Sequence, residues 1–177
     1  MKTRFLTGLI LIVGGSSVWA STTPPGTSPA LNPVEESVRK ALVTIPYLSV
    51  FDDLSFKVDH GVVTLSGFVT QPFLKDYAEK SVEHLAGVST VNDQIEVLPL
   101  SYFDDGIRFR TLRSLERTGS LYRYFMGVTP TIRIVVKNGH VTLDGVVQNS
   151  MDRQLAYMAA NSVPGVFSVT NDLRTEH

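Results

Sequence analysis

The chain has 177 residues, 43% of them hydrophobic, with 16 Lys and Arg against 17 Asp and Glu and no cysteine. That length and composition allow one or two modest cores and exclude a disordered or collagen-like chain. Without cysteine there is no disulfide framework, thiolate chemistry, cysteine-bound metal or lipidated cysteine.

Charge is unevenly spread. Residues 21–100 carry five Lys and Arg against ten Asp and Glu, a net of −5, whereas residues 101–177 carry nine against seven, a net of +2. The second half is therefore the part suited to an anionic partner.

Residues 1–20 read as an export signal. Lys2 and Arg4 precede an apolar run from Phe5 to Val13, and Val18-Trp19-Ala20 form a small-x-small site for cleavage after Ala20. The run is too short for a membrane-spanning helix, so the mature protein is expected to be soluble and outside the cytoplasm. Residues 21–32, uncharged and rich in Pro, Ser and Thr, read as a flexible linker.

Asn32-Pro33 opens a helix, with Asn32 as cap, Pro33 in the first turn and Glu35 closing a capping box. Val34, Val38, Ala41, Leu42 and Ile45 share its apolar face, and Pro46 is expected to end it. Leu54, Phe56 and Val58 alternate with polar residues in a strand, Asp59-His60-Gly61 turns the chain, and Val63, Leu65, Gly67 and Val69 set the inner face of the next strand. Gly67 in mid-strand predicts the close approach of another backbone, expected from a helix crossing the sheet. A helix from Pro72 is predicted to bury Phe73, Tyr77, Ala78, Ser81 and Leu85 and to stop at Gly87. Val91, Ile95 and Val97 mark a third strand.

The second half repeats this order. Asp104 or Asp105 is expected to cap a helix running to about Arg117, with Ile107, Thr111, Ser114 and Leu115 inward. After an irregular stretch from Gly119 to Thr129, residues 131–136 and 141–147 form a hairpin across Lys137-Asn138-Gly139. Ser150 is expected to cap a helix burying Met151, Leu155, Met158, Ala159 and Ser162, and residues 166–173 are the last strand.

The two halves also match residue by residue. GVVTLSGFV at 61–69 returns as GHVTLDGVV at 139–147, 78 positions later, and Gly87-Val88 and Val91 return as Gly165-Val166 and Val169. A repeat of this length implies two small domains in tandem, residues 33–100 and 101–177. The fold class is α+β: two tandem αββαβ units, each a three-stranded sheet with two helices on one face.

The motif G-x-V-T-L-x-G-x-V, followed by a helix and G-V-x-x-V-x-[DN]-x-[IL], resembles the BON domain in both halves. The whole chain after the linker is similar to dual-BON periplasmic proteins. The resemblance implies envelope maintenance under osmotic or other stress and binding to phospholipid surfaces, without catalysis or a cofactor. It supplies no agreed site residues.

Site candidates must come from the residues themselves. His60, His84, His140 and His177 show no metal-ligand spacing and read as solvated. Asp93 and Asn171 point inward by strand parity and are expected to bond nearby backbone. No G-x-S-x-G, H-E-x-x-H or phosphate loop occurs. What stands out is a run of arginines among aromatics: Arg108, Arg110, Arg113, Arg117 and Arg123, with Tyr124, followed by Arg133. Arg110, Arg113 and Arg117 share the helical face opposite the buried stripe. Guanidinium groups pair with phosphates and aromatics favour a membrane's interfacial layer, so Arg108, Arg110, Arg113, Arg117, Arg123 and Tyr124 form a candidate lipid-binding surface. The competing reading is a solvated basic face with its aromatics in the core. The expected partner is an anionic phospholipid membrane surface or an envelope protein reached through open sheet edges, with nucleic acid excluded by export and by an acidic mature chain.

Overall fold

A computed structural model describes residues 32–127 and 129–176. The expected export signal and all of the linker but Asn32 lie outside the described residues. Helix α1 (Pro33–Val43) starts as its sequence dictates: the Asn32 side chain accepts from the Val34 N–H at 3.2 Å and Glu35 accepts from the Asn32 N–H at 3.0 Å. It ends at Thr44, whose hydroxyl lies 2.9 Å from the Lys40 carbonyl, before Pro46 is reached.

Strands β1 (Asp53–Asp59) and β2 (Val62–Val69) form a hairpin through His60-Gly61, and β3 (Thr90–Val97) lies parallel to β2. A parallel pair needs a crossover, which α2 (Pro72–Glu83) provides. The second half repeats this plan with α3 (Tyr102–Glu116), a 3-10 turn at Leu121–Tyr124, β4 (Ile132–Lys137), β5 (His140–Val147), α4 (Ser150–Asn161) and β6 (Ser168–Thr175). The strand orders are β1-β2-β3 and β4-β5-β6, and Val63 faces Val91 as Val141 faces Val169. The architecture is thus the expected α+β pair of αββαβ units. Among the described residues no helix is long and apolar enough to cross a membrane.

Each unit has its own core. Val63, Leu65 and Val69 of β2 meet Val38 and Leu42 of α1 and Leu74, Ala78 and Val82 of α2. Val141, Leu143 and Val147 meet Ile107, Leu115, Ala156 and Ala160. Burying each such Val or Leu contributes about 1.5–3 kcal/mol.

Several helix faces differ from the sequence expectation. On α2 the buried row is Leu74–Ala78–Val82, at i, i+4 and i+8, while Phe73 and Tyr77 are 48% and 47% exposed. On α4 the sheet takes Ala156, Ala159 and Ala160, leaving Met151 and Met158 exposed. On α4 the alanines let the helix lie close to the sheet, while on α2 the row at i, i+4 and i+8 carries Leu74 and Val82 inward and leaves Phe73 and Tyr77 at the flank. The caps shift as well. Ser101, not an Asp, accepts from the Asp104 N–H at 3.2 Å, and Asn149, not Ser150, accepts from the Asp152 N–H at 2.8 Å. Asp104 is used elsewhere. Buried, it accepts from the N–H groups of Asn138 and Gly139 at 2.9 and 2.8 Å and so ties α3 to the β4–β5 turn.

Gly67 and Gly145 do mark a close backbone approach, but the neighbour is a strand entrance, not a helix. Their φ angles are +119° and +131°, and a Cβ would lie 2.1 Å from the Asp53 carbonyl oxygen and 1.9 Å from that of Thr131. The glycines let β2 and β5 kink where β1 and β4 begin.

The two units pack as one body. The Ile134 N–H donates to the Val50 carbonyl at 2.9 Å, so the β4 edge is partly occupied by the segment leading into β1. Phe51 stands edge-on to Phe109 at 5.3 Å, and Lys137 pairs with Glu96. Val135 is buried although strand parity places it on the face opposite Ile134 and Val136.

Candidate functional site

Of the six expected site residues, the structure brings three together at the surface. Arg110, Arg113 and Arg117 follow one another along the outer side of α3, all exposed, where they line a groove of about 360 Å3 against the end of α4. Ser114, Thr118 and Ser162 form its floor. Those hydroxyls donate to the backbone, Ser114 and Ser162 to the Ala159 carbonyl and Thr118 to that of Ser114, so the charged donors among the lining residues are the three arginines. None of the three arginines has an ion pair among the described residues. A phosphate or carboxylate is the complement such a groove calls for.

Arg108, Arg123 and Tyr124 do not belong to this surface. Arg108 is 4% exposed; it pairs with Asp105 and donates to the Val136 carbonyl at 2.8 Å, fastening α3 to β4. Its Nε has no partner among the described residues, nor has the Thr111 hydroxyl one turn further on. Tyr124 is buried too. Its hydroxyl donates to Asp152 at 2.5 Å and accepts from the Gln148 N–H at 2.9 Å, and Arg123 pairs with the same Asp152. Burial pushes the Asp152 carboxyl up, but hydrogen bonds from Tyr124, Ser120 and Arg123 outweigh it and hold the carboxyl below its usual range. Burial, then the bond to Asp152, pushes the Tyr124 phenol up. This cluster anchors the 3-10 turn to α4. Arginine and aromatic residues close together in sequence do not show which of them the fold will bury.

Two aromatic residues outside the sequence candidates adjoin this surface. Phe103 and Phe167 are 50% and 71% exposed with ring centroids 6.1 Å apart. Phe103 packs over Gly165, beside the Arg110 guanidinium, so the aromatic pair adjoins one end of the arginine row. A signal for Phe167 was present: its counterpart 78 positions earlier is Ser89, a departure inside an otherwise matched motif.

The remaining candidates are structural. Asp93 accepts from the Ile95 N–H at 2.8 Å and Asn171 from the Leu173 N–H at 3.4 Å, the local backbone bonding expected of both. His60 meets Asp59 and His140 meets Ser168 at the two hairpin turns. Among the described residues no group of three His, Asp or Glu side chains is placed to hold a metal.

Osmotically inducible protein Y of Escherichia coli (strain K12) is 31% identical over 125 residues, 70% of this chain and 62% of that relative. The match therefore spans less than two thirds of the relative's length. Among solved structures, two of CdsD, a structural protein of the type III secretion system of Chlamydia trachomatis, align over 82% and 80% of this chain and 98% and 92% of theirs. Their identities are 11% and 12% and their TM-scores 0.30 and 0.32. The family model of the BON domain matches twice, at residues 31–99 and 104–176, one stretch for each αββαβ unit with only the first two residues of α3 left out, and the chain belongs to the BON-domain family.

Proposed function

We propose that the protein is a binding module of the bacterial periplasm, exported by residues 1–20, that docks on anionic phospholipid surfaces through the α3–α4 face of its second unit and supports envelope integrity under stress. The observation that carries the reading is the row Arg110, Arg113, Arg117, exposed and without ion pairs among the described residues, beside the exposed rings of Phe103 and Phe167. Arginine supplies paired donors to phosphate, and the rings suit the interfacial layer. The relation to an osmotically inducible protein supports the stress setting. The first unit offers no equivalent face: Arg39 is already paired with Glu36 at 2.8 Å.

Each arginine near an anionic surface is worth about 1 kcal/mol, so the test changes three. Arg110→Glu, Arg113→Glu and Arg117→Glu together are expected to abolish co-flotation with phosphatidylglycerol vesicles at low salt. The matched change of Arg39, Lys40 and Lys80 in the first unit is expected to leave it intact. Acidic residues in the last turn of α3 cost about 0.3–1 kcal/mol each, so folding is checked by circular dichroism. Replacing Phe103 by Val and Phe167 by Ser is expected to remove the binding that survives at high salt, where the electrostatic part is screened. Unchanged flotation of the triple mutant, or none by the parent, sinks the lipid reading. In that event the free edges of β3 and β6 become the surface to examine, as a site where a partner protein adds a strand.

A further inference from the structure

Where the two units meet, the segment leaving α1 and the residues entering β4 enclose a second cleft, of about 540 Å3. Val43, Ile45 and Leu48 of the first unit and Pro130 of the second give it apolar walls, and Tyr47 stands at its rim. Arg133 is its one charged lining residue. A smaller recess continues past Leu48 and Arg133 to Asp52. Junctions between domains are favoured places for small-molecule sites, whose volumes run from about 300 to 1,000 Å3.

Arg133 sits where a charge is costly. Half-buried, it donates to the Ser49 carbonyl at 3.1 Å and has no ion pair among the described residues. The carboxylates beside it are engaged elsewhere. Asp52 is 2% exposed, and its two oxygens accept from the backbone and hydroxyl groups of Ser49 and Thr70. Asp53 lies near Asp144 and forms no ion pair with Arg133 among the described residues. A guanidinium has five donors, so Arg133 keeps several in reserve. Burial pushes its pKa down, against the pull of Asp53 and Asp52. Tyr47 adds a second irregularity. Its backbone is left-handed, φ 69°, which is rare for a bulky residue, and this holds its ring 81% exposed and edge-on to Phe73 at 6.2 Å. The repeat does not require Arg133, because the matching position 78 residues earlier is Ser55.

We infer that this inter-unit cleft binds a single-chain amphiphile with a carboxylate head, of the fatty-acid type, its head on Arg133 and its chain along Val43, Ile45, Leu48 and Pro130. A planar carboxylate matches the guanidinium fork. A purely polar anion leaves the apolar walls in water, and a cationic head meets Arg133. The inference is independent of the α3 surface, since it uses other residues and a ligand in solution.

The probe is decanoate held below its critical micelle concentration, titrated into the protein by calorimetry and followed by amide chemical shifts. Saturable one-to-one binding is expected, with shifts confined to residues 43–48 and 129–134. Decanol and decyltrimethylammonium are expected to bind at least about tenfold more weakly, the worth of one charge-assisted hydrogen bond. Arg133→Gln should weaken decanoate by about the same factor and leave decanol unchanged, while Lys57→Gln, at an exposed position outside the cleft, changes neither. The parent protein alone decides the case if the Arg133 variant does not fold. Absence of saturable decanoate binding, equal affinity for decanol, or shifts centred on Arg110 to Arg117 instead would overturn the inference.

Discussion

Replacing Gly145 by alanine adds a single methyl group and is expected to destabilise the second unit severely. The methyl carbon arrives 1.9 Å from the carbonyl oxygen of Thr131 and 2.9 Å from its carbonyl carbon, and neither atom belongs to a side chain that can swing away. That carbonyl also accepts the Val146 N–H at 3.1 Å, so moving it breaks the first bond between β4 and β5. The φ of +131° adds a conformational cost for any residue with a Cβ, about 1–3 kcal/mol. Overpacking against fixed backbone adds about 1–3 kcal/mol more. The expected loss is about 2–6 kcal/mol, or roughly 4–24 °C in melting temperature for a chain of this size.

The assay is thermal unfolding by circular dichroism, with Gly106→Ala as the contrast. Gly106 lies inside α3 with an ordinary φ, and its added methyl meets only a guanidinium nitrogen of Arg110 at 2.9 Å, the movable end of a long side chain. There the substitution is expected to stabilise, by up to about 1 kcal/mol, because alanine is the better helix former. Gly67→Ala should repeat the Gly145 result in the first unit, against the Asp53 carbonyl at 2.1 Å. A Gly145→Ala protein melting within about 2 °C of the parent refutes the argument, since it means that β4 moves aside at little cost.

Two further outcomes are expected. Tyr124→Phe leaves the Gln148 N–H and a buried Asp152 oxygen short of a partner, so it should lower the urea midpoint by the equivalent of about 1–3 kcal/mol with the m-value unchanged. Burial above all, then the neighbouring Asp144, raises the Asp53 carboxyl against the pull of Arg133 and Arg174, so the folded state holds this proton more tightly than the unfolded state does. Stability from this group is full below the ordinary carboxylate value of about 3.9 and is lost as pH rises through the raised one. Asp53→Asn should flatten that part of the stability–pH curve, and an unchanged curve would show that Asp53 is not desolvated in the folded protein.

Strand positions, hairpins and the α1 cap were legible in the sequence because each rests on local chemistry: alternation, a turn glycine, an Asn-Pro-x-Glu start. The inner faces of α2 and α4 were not. There the choice between Phe73 and Leu74, or between Met158 and Ala160, depends on how close the helix lies to the sheet, and hydrophobicity alone favours the larger residue. The candidate site was half legible. Helical spacing grouped Arg110, Arg113 and Arg117 correctly. It said nothing of Arg108, only two residues from Arg110, which turns inward to the Val136 carbonyl. Phe103 and Phe167 meet only once α3 and the loop before β6 are folded together.

Comparing the two units with each other separates what the fold needs from what it does not. The N–H that opens each helical crossover is satisfied in both, by the Asp52 carboxylate at Thr70 and by the Tyr124 hydroxyl at Gln148, so the buried aromatic of the second unit is an alternative answer to a structural demand. The same holds for the glycines after α2 and α4. Val34 covers Gly87 and Phe103 covers Gly165, and Ser89 and Phe167 donate equivalent N–H groups to the Gly61 and Gly139 carbonyls at 2.7 and 2.9 Å. A valine and a serine suffice for this backbone in the first unit. The two large exposed rings in the second are more than this backbone requires. Exposed aromatic surface has a cost in solubility. It is spent beside three arginines without ion pairs among the described residues, where an anionic, partly apolar surface can use both.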